Sequence, residues 1–193
     1  MTFYDLIAAT TFLERYHINY MDLPTDNHLP IVVDVDGDVI LRGENLTNAD
    51  IKVKFRNVTG NFDCSYNKLT LLDFAPEHVC GNFDCSSNIY LISLENAPKY
   101  VDLDFKCNLC QISSLGGLPC YVGRNFECYG NKITSLTKAP IYVGGNFYCS
   151  SNKLTNIDDI STKYVGGNFY CHGNKIKNLD ALDGIVKGMK VRY

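Results

Sequence analysis

The chain has 193 residues and a net charge of −3, with 46% hydrophobic and 20% charged residues, enough for one globular unit with a substantial core. That weak acidity, with no basic run, argues against gripping nucleic acid through its phosphates, and no apolar stretch reaches the roughly 18 to 20 residues that span a bilayer. The first residues, MTFYDLIAATTFLERYHINY, carry neither a basic leader nor an unbroken apolar run, so no secretory signal is expected and the nine cysteines are expected to be reduced, in the cytoplasm.

Residues 2–17 predict an amphipathic helix with Thr2 as its cap and Phe3, Leu6, Ile7, Phe12 and Leu13 on its apolar side. Next comes IVVDVDGDVI, residues 31–40. An apolar strand followed by D-x-D-G resembles the phosphatase signature of the haloacid dehalogenase family, which implies Asp34 as nucleophile and Asp36 as general acid. That family writes Thr or Val where Asp38 stands here, and it needs a doubly wound α/β domain downstream. A calcium loop of the EF-hand type wants D-x-D-x-D-G, and Gly37 comes two positions early for it.

From Val58 onward the chain repeats itself. Phe62, Phe83, Phe105, Phe126, Phe147 and Phe169 recur at 21 or 22 residues, each with a cysteine two positions later: Cys64, Cys85, Cys107, Cys128, Cys149 and Cys171. Three further on stand Asn67, Asn88, Cys110, Asn131, Asn152 and Asn174, and four before each phenylalanine is a valine, from Val58 to Val165. The unit reads V-x-G-N-F-x-C-x-x-N-x-L-x-x-L-x-x-A-P-x-x, with single insertions just after Asn88 and near Ile160. Such periodicity predicts short parallel strands stacked about 4.8 Å apart, their valines, phenylalanines and cysteines facing a common core. The asparagine column is expected to satisfy the backbone of a tight turn. Weaker traces at each end extend the count to eight coils. Val35, Gly37, Val39, Leu41 and Leu46 form the first; Val186, Gly188, Met189 and Val191 form the last, with Met189 in the phenylalanine place. The helix is then expected to cover the open first coil.

This spacing resembles the leucine-rich repeat, L-x-x-L-x-L-x-x-(N/C)-x-L, at the short end of its range, where cysteine is an accepted alternative at the position of Cys110. It departs in writing Phe-x-Cys for Leu-x-Leu, with Gly-Asn ahead, and in that dialect is similar to the short repeats of bacteria and tailed bacteriophages. The resemblance covers residues 58–182. It implies an α/β solenoid: a leucine-rich repeat horseshoe with one parallel β-sheet on its concave face, loop or 3₁₀ turns on the convex side and an N-terminal capping helix. Residues 1–57 would be the helix and a degenerate coil, 58–182 six repeats and 183–193 a partial one, all one continuous domain.

Within the repeat, the sameness breaks down at the outward strand positions beside the phenylalanine and cysteine. Asp63, Asp84, Lys106, Glu127, Tyr148 and Tyr170 lie between Phe and Cys; Ser65, Ser86, Asn108, Tyr129, Ser150 and His172 come directly after the cysteine. We take Asp63, Asp84, Lys106, Glu127, Tyr129, Tyr148, Tyr170 and His172 as the candidate protein-binding face, because clustered exposed aromatics are typical interface anchors. The uniform Asn61, Asn82, Asn125, Asn146 and Asn168 read as structural. Cys107 and Cys110 suggest zinc by spacing, but both belong to core columns, so no metal, cofactor or catalytic residue is expected; the histidines at 17, 28, 78 and 172 are scattered. The expectation is a non-enzymatic protein-binding module with no membrane or nucleic-acid partner. The phage-like dialect implies a host protein as partner, one of its defence proteins for instance, bound and inhibited in the host cytoplasm. The alternatives are an assembly component whose copies stack, and a phosphatase using Asp34 and Asp36.

Overall fold

The 21-residue rhythm becomes a parallel β-solenoid of seven to eight coils. A computed structural model describes residues 3–21, 23 and 30–192; the expected cap Thr2 and His28 lie outside these, as does the side chain of Phe3. Each central coil contributes two short strands. The first set, from Val32–Val35 and Lys54–Val58 through His78–Val79 to Tyr164–Val165, forms a seven-stranded sheet. The second, from Val39–Ile40 through Phe62–Asp63 and Phe169–Tyr170 to Lys190–Val191, forms an eight-stranded one. All pairings within both sheets are parallel, and like meets like: Phe62 lies beside Phe83, Phe126 beside Phe147, and Val143 beside Val165.

Two sheets replace the single one expected. Val143 and Phe147 do point into one core, but not from one strand, because Gly144 and Gly145 turn a corner between them. A side chain has no room there: a Cβ at Gly144 would lie 2.1 Å from the carbonyl oxygen of Gly123, and one at Gly166 would lie 2.2 Å from that of Gly144. The α/β expectation also gives way, since the helical content among the described residues is one 13-residue α-helix, Phe3–Arg15, and two 3₁₀ turns, Asn48–Asp50 and Asp180–Leu182.

The core is a set of columns. Phe62, Phe83, Phe105, Phe126, Phe147 and Phe169 are each fully buried, with successive ring centroids 5.7, 5.1, 5.9, 5.0 and 4.9 Å apart. The six repeat cysteines are buried beside them. Desolvation raises the thiols of Cys64, Cys85, Cys107, Cys128 and Cys149 well above the ordinary range and pushes Cys171 up to about 11. They pack as small hydrophobes.

Two polar ladders close the corners. Asn61, Asn82, Asp104, Asn125, Asn146 and Asn168 precede the phenylalanines, and each Oδ1 accepts the backbone N–H of the equivalent residue one coil on, or of Met189 at the end. In the second ladder Asn152 Nδ2 donates to the carbonyls of Cys128 and Cys149 while its Oδ1 accepts from Ile133 N–H, and Asn67 and Asn131 repeat the pattern. Cys110 cannot offer that acceptor, and the coil before it does not need one. The residue inserted after Asn88 lets Leu91 N–H bond back to the Asn88 carbonyl at 2.9 Å. Insertion and substitution compensate.

The ends differ from expectation in two places. On the helix, Ala9, Phe12 and Leu13 join the core cluster at i, i+3 and i+4, whereas Ile7 is 44% exposed. The helix stops at His17, whose φ of 52° sets up an Ile18 N–H to Leu13 carbonyl bond. At the other end, Met189 occupies the asparagine place and is 65% exposed, while Lys190 takes the phenylalanine place opposite Phe169. The Gly188 N–H donates to the Gly167 carbonyl and the Met189 N–H to the Asn168 side-chain Oδ1, and these bonds hold the 21-residue register there.

Candidate functional site

The eight-stranded sheet brings one expected column into line. Ile40, Asp63, Asp84, Lys106, Glu127, Tyr148, Tyr170 and Val191 are consecutive in-register neighbours on its outward side. The other expected column is not a free surface, because Ser65, Ser86, Asn108 and Ser150 are buried. The chain turns at the next position, where Tyr66, Ser87, Leu109 and Ser151 take left-handed φ of 53–58°, and this draws the preceding side chains inward. Of that column only His172 is exposed, with its Nδ1 2.9 Å from Ser150 Oγ, and Tyr129 is half-buried.

The acidic half is largely committed internally. Asp63 and Asp84 each accept the backbone N–H two residues on, at 3.0 and 2.9 Å, and Asp63 also faces Arg42 at 3.7 Å. Lys106 sits between Asp104 at 3.8 Å and Glu127 at 3.7 Å, and Glu127 accepts from Asn108 as well. A depression of about 240 Å³ is lined by Asp63, Asp84 and Lys106. Tyr129 lies over this half, its hydroxyl raised by burial and by Glu127, Tyr66 and Asp84.

The aromatic half is built differently. Tyr148 and Tyr170 stack at 4.7 Å with planes 3° apart, and their hydroxyls accept from Asn146 and Asn168 at 3.1 and 2.9 Å. Burial raises the Tyr148 hydroxyl, so it stays a neutral donor at physiological pH. Across the glycine corner is a second stack that the variable columns do not reveal: Tyr121, Tyr142 and Tyr164 on the seven-stranded sheet, at 5.0 and 4.8 Å with planes 8° and 5° apart. Tyr100, Tyr121 and Tyr142 are 59, 47 and 36% exposed. The rings of Tyr142 and Tyr164 lie over Gly144 and Gly166, within 3.4 and 3.3 Å of where a Cβ would be. The two stacks flank one bare corner. The signal for this column is the recurrence of tyrosine one residue before the repeat valine.

No family model, curated protein or solved structure matches the chain. No helix among the described residues is long and apolar enough to cross a membrane.

The aspartates of the phosphatase-like stretch bind the next coil. Asp34 is paired with Arg56 and accepts from Asn57 Nδ2 at 2.8 Å; Asp36 accepts from Thr59 Oγ1, and Asp38 from Asn61 N–H at 2.6 Å. The Arg56 hydrogen bond, ahead of any other cause, holds the Asp34 carboxyl below the usual carboxylate range. A depressed folded-state pKa gives stability that is present above the unfolded value of about 3.9 and is lost as pH falls through the folded one. Asp34→Asn should therefore cost about 1 kcal/mol in urea unfolding at pH 7, and the two proteins should converge as pH drops below about 4. A gap unchanged at acid pH would show that the carboxylate charge is not what matters.

A depression of about 430 Å³ lies between the helix and the first coils, lined by Phe12, Arg15, Tyr16, Glu44, Asp50 and Lys52 among others. Its basic and acidic groups balance, and Asp50 is already taken by Thr47.

Proposed function

We propose that the chain is a non-enzymatic protein-binding solenoid whose partner docks on the aromatic corner formed by Tyr142, Tyr164, Tyr148 and Tyr170. One observation carries this reading. The rings in both stacks repeat at 4.7–5.0 Å and lie within 8° of parallel, at the spacing of the strands themselves. Stacked at that interval, they cover one another's faces and present a ladder of edges and hydroxyls. A sugar ring or a nucleobase wants an open aromatic face; ring edges with hydroxyl donors, beside a glycine backbone that lets a partner approach closely, suit a protein surface. The engagement of Asp34, Asp36 and Asp38 with the next coil favours binding over hydrolysis at that stretch.

We read the repeat as a variant of the short leucine-rich repeat, with the helix capping its first coil. The 21-residue period and the asparagine column that admits cysteine support that kinship. The cytoplasm is its compartment, and the phage-like dialect makes a host protein the partner to look for. The test is to purify that partner from the native cell, then measure its affinity for the chain and for a Tyr148→Ala/Tyr170→Ala variant. We expect a loss of tenfold or more with the thermal transition almost unchanged. Undiminished affinity in the folded double variant would move the site elsewhere.

A further inference from the structure

We propose that His78, Cys80 and Asp102 form a zinc-binding site on the outward face of the seven-stranded sheet. The repeat supplies its own control. Where His78 stands, four other coils carry Tyr100, Tyr121, Tyr142 and Tyr164; where Cys80 and Asp102 stand, three carry Gly123, Gly144 and Gly166. The scaffold needs none of the three, yet the departures fall side by side.

The geometry comes from the strand. Val79 is fully buried, so its neighbours His78 and Cys80 both point outward, and the pairing of Val79 with Val101 sets Asp102 beside Cys80. His78 Nε2 lies 3.1 Å from Asp102 Oδ1 and 4.0 Å from Cys80 Sγ, and the three ligand atoms all lie within 4.8 Å of one another. Atoms so separated share a centre at about 2.4 Å or less, against the roughly 2.0–2.3 Å of zinc bonds to nitrogen, oxygen and sulfur. Closing that small gap takes only side-chain rotation, and the fourth position opens to solvent for a water. The Tyr100 ring, edge-on to His78 at 5.9 Å and 72°, steadies the imidazole, and Glu77 is occupied by Lys99 at 3.2 Å. An ion pair would account for His78 and Asp102 but leaves the Cys80 sulfur unused. A nitrogen–sulfur–oxygen set selects zinc over calcium or magnesium. Seven of the nine cysteines are buried, so Cys80 and Cys120 are the thiols a solvent metal reaches.

The experiment uses the untagged, fully reduced chain. Zinc is titrated in competition with a chromophoric chelator, and cobalt serves as a spectroscopic substitute. We expect one equivalent bound at micromolar or tighter affinity and a thiolate-to-cobalt charge-transfer band. Cys80→Ser should abolish the band and weaken zinc at least tenfold, Asp102→Asn should weaken it about tenfold, and Cys120→Ser should change neither. Failure of the wild-type chain to compete with the chelator, or wild-type affinity in Cys80→Ser or Asp102→Asn, overturns the assignment.

Discussion

Phe126→Ala is expected to lower stability by about 4 kcal/mol, the middle of the range for truncating a buried aromatic residue. The ring is fully buried between Phe105 at 5.9 Å and Phe147 at 5.0 Å, the latter edge-on at 78°. Truncation costs more where the surroundings cannot collapse, and here they cannot. Backbone bonds from Phe105 N–H to Asn125 and from Phe126 N–H to Asn146, both 2.9 Å, hold the coils at strand spacing whatever fills the gap. The cavity should therefore persist. Because each coil touches only its neighbours, a loss in the middle should also loosen the coupling between the two ends. Urea unfolding followed by circular dichroism checks both points: the midpoint should fall steeply, and the transition should broaden. A loss below about 1.5 kcal/mol would mean that the column relaxes into the space.

Asn152→Ala comes next, at about 3 kcal/mol or more. Its amide serves the carbonyls of Cys128, Cys149 and Ser150 at 3.0, 3.1 and 3.2 Å, and its oxygen takes Ile133 N–H at 3.0 Å. Alanine would leave buried main-chain groups without partners, each worth about 1–3 kcal/mol, too deep for water to replace fully. Cys110 in the same column is the contrast. Its Sγ makes only weak 3.5 Å contacts with the Cys85 and Asn108 carbonyls, and Leu91 N–H is already satisfied, so Cys110→Ala should cost about 1 kcal/mol. Equal losses at the two positions would show that the ladder works by packing and not by hydrogen bonding. The same unfolding measurement, with unchanged denaturant sensitivity, separates the cases.

The phenylalanine, cysteine, valine and asparagine columns are legible in the sequence because each recurs at a fixed interval, and periodicity reports a repeated local environment. The split into two sheets is not, because Gly144 and Gly145 look like inserted letters within one strand; only the close approach of backbones at that corner shows them turning it. Of the candidate face, the column from Asp63 to Tyr170 lines up as the alignment implies, whereas Ser65, Ser86, Asn108 and Ser150 turn inward. Alternation along a strand stops being a guide where the strand is two residues long. The stack of Tyr121, Tyr142 and Tyr164 is hidden by its sameness, the property that makes Asn61 and its kin look structural. His78, Cys80 and Asp102 break the pattern singly, and their meeting depends on lateral neighbours that a linear reading does not put together.

The matching joints between coils make the length of this molecule adjustable without redesign. Val122 pairs with Val143 as Val143 pairs with Val165, and Gly144 bonds to Val122 as Gly166 bonds to Val143. Excising residues 123–143 would splice Val122 onto Gly144 across equivalent positions and shorten the stack by one strand spacing, ~4.8 Å. The separation between the carboxylate-bearing end and the tyrosine-bearing end can thus change in fixed steps, a ruler whose marks are single coils.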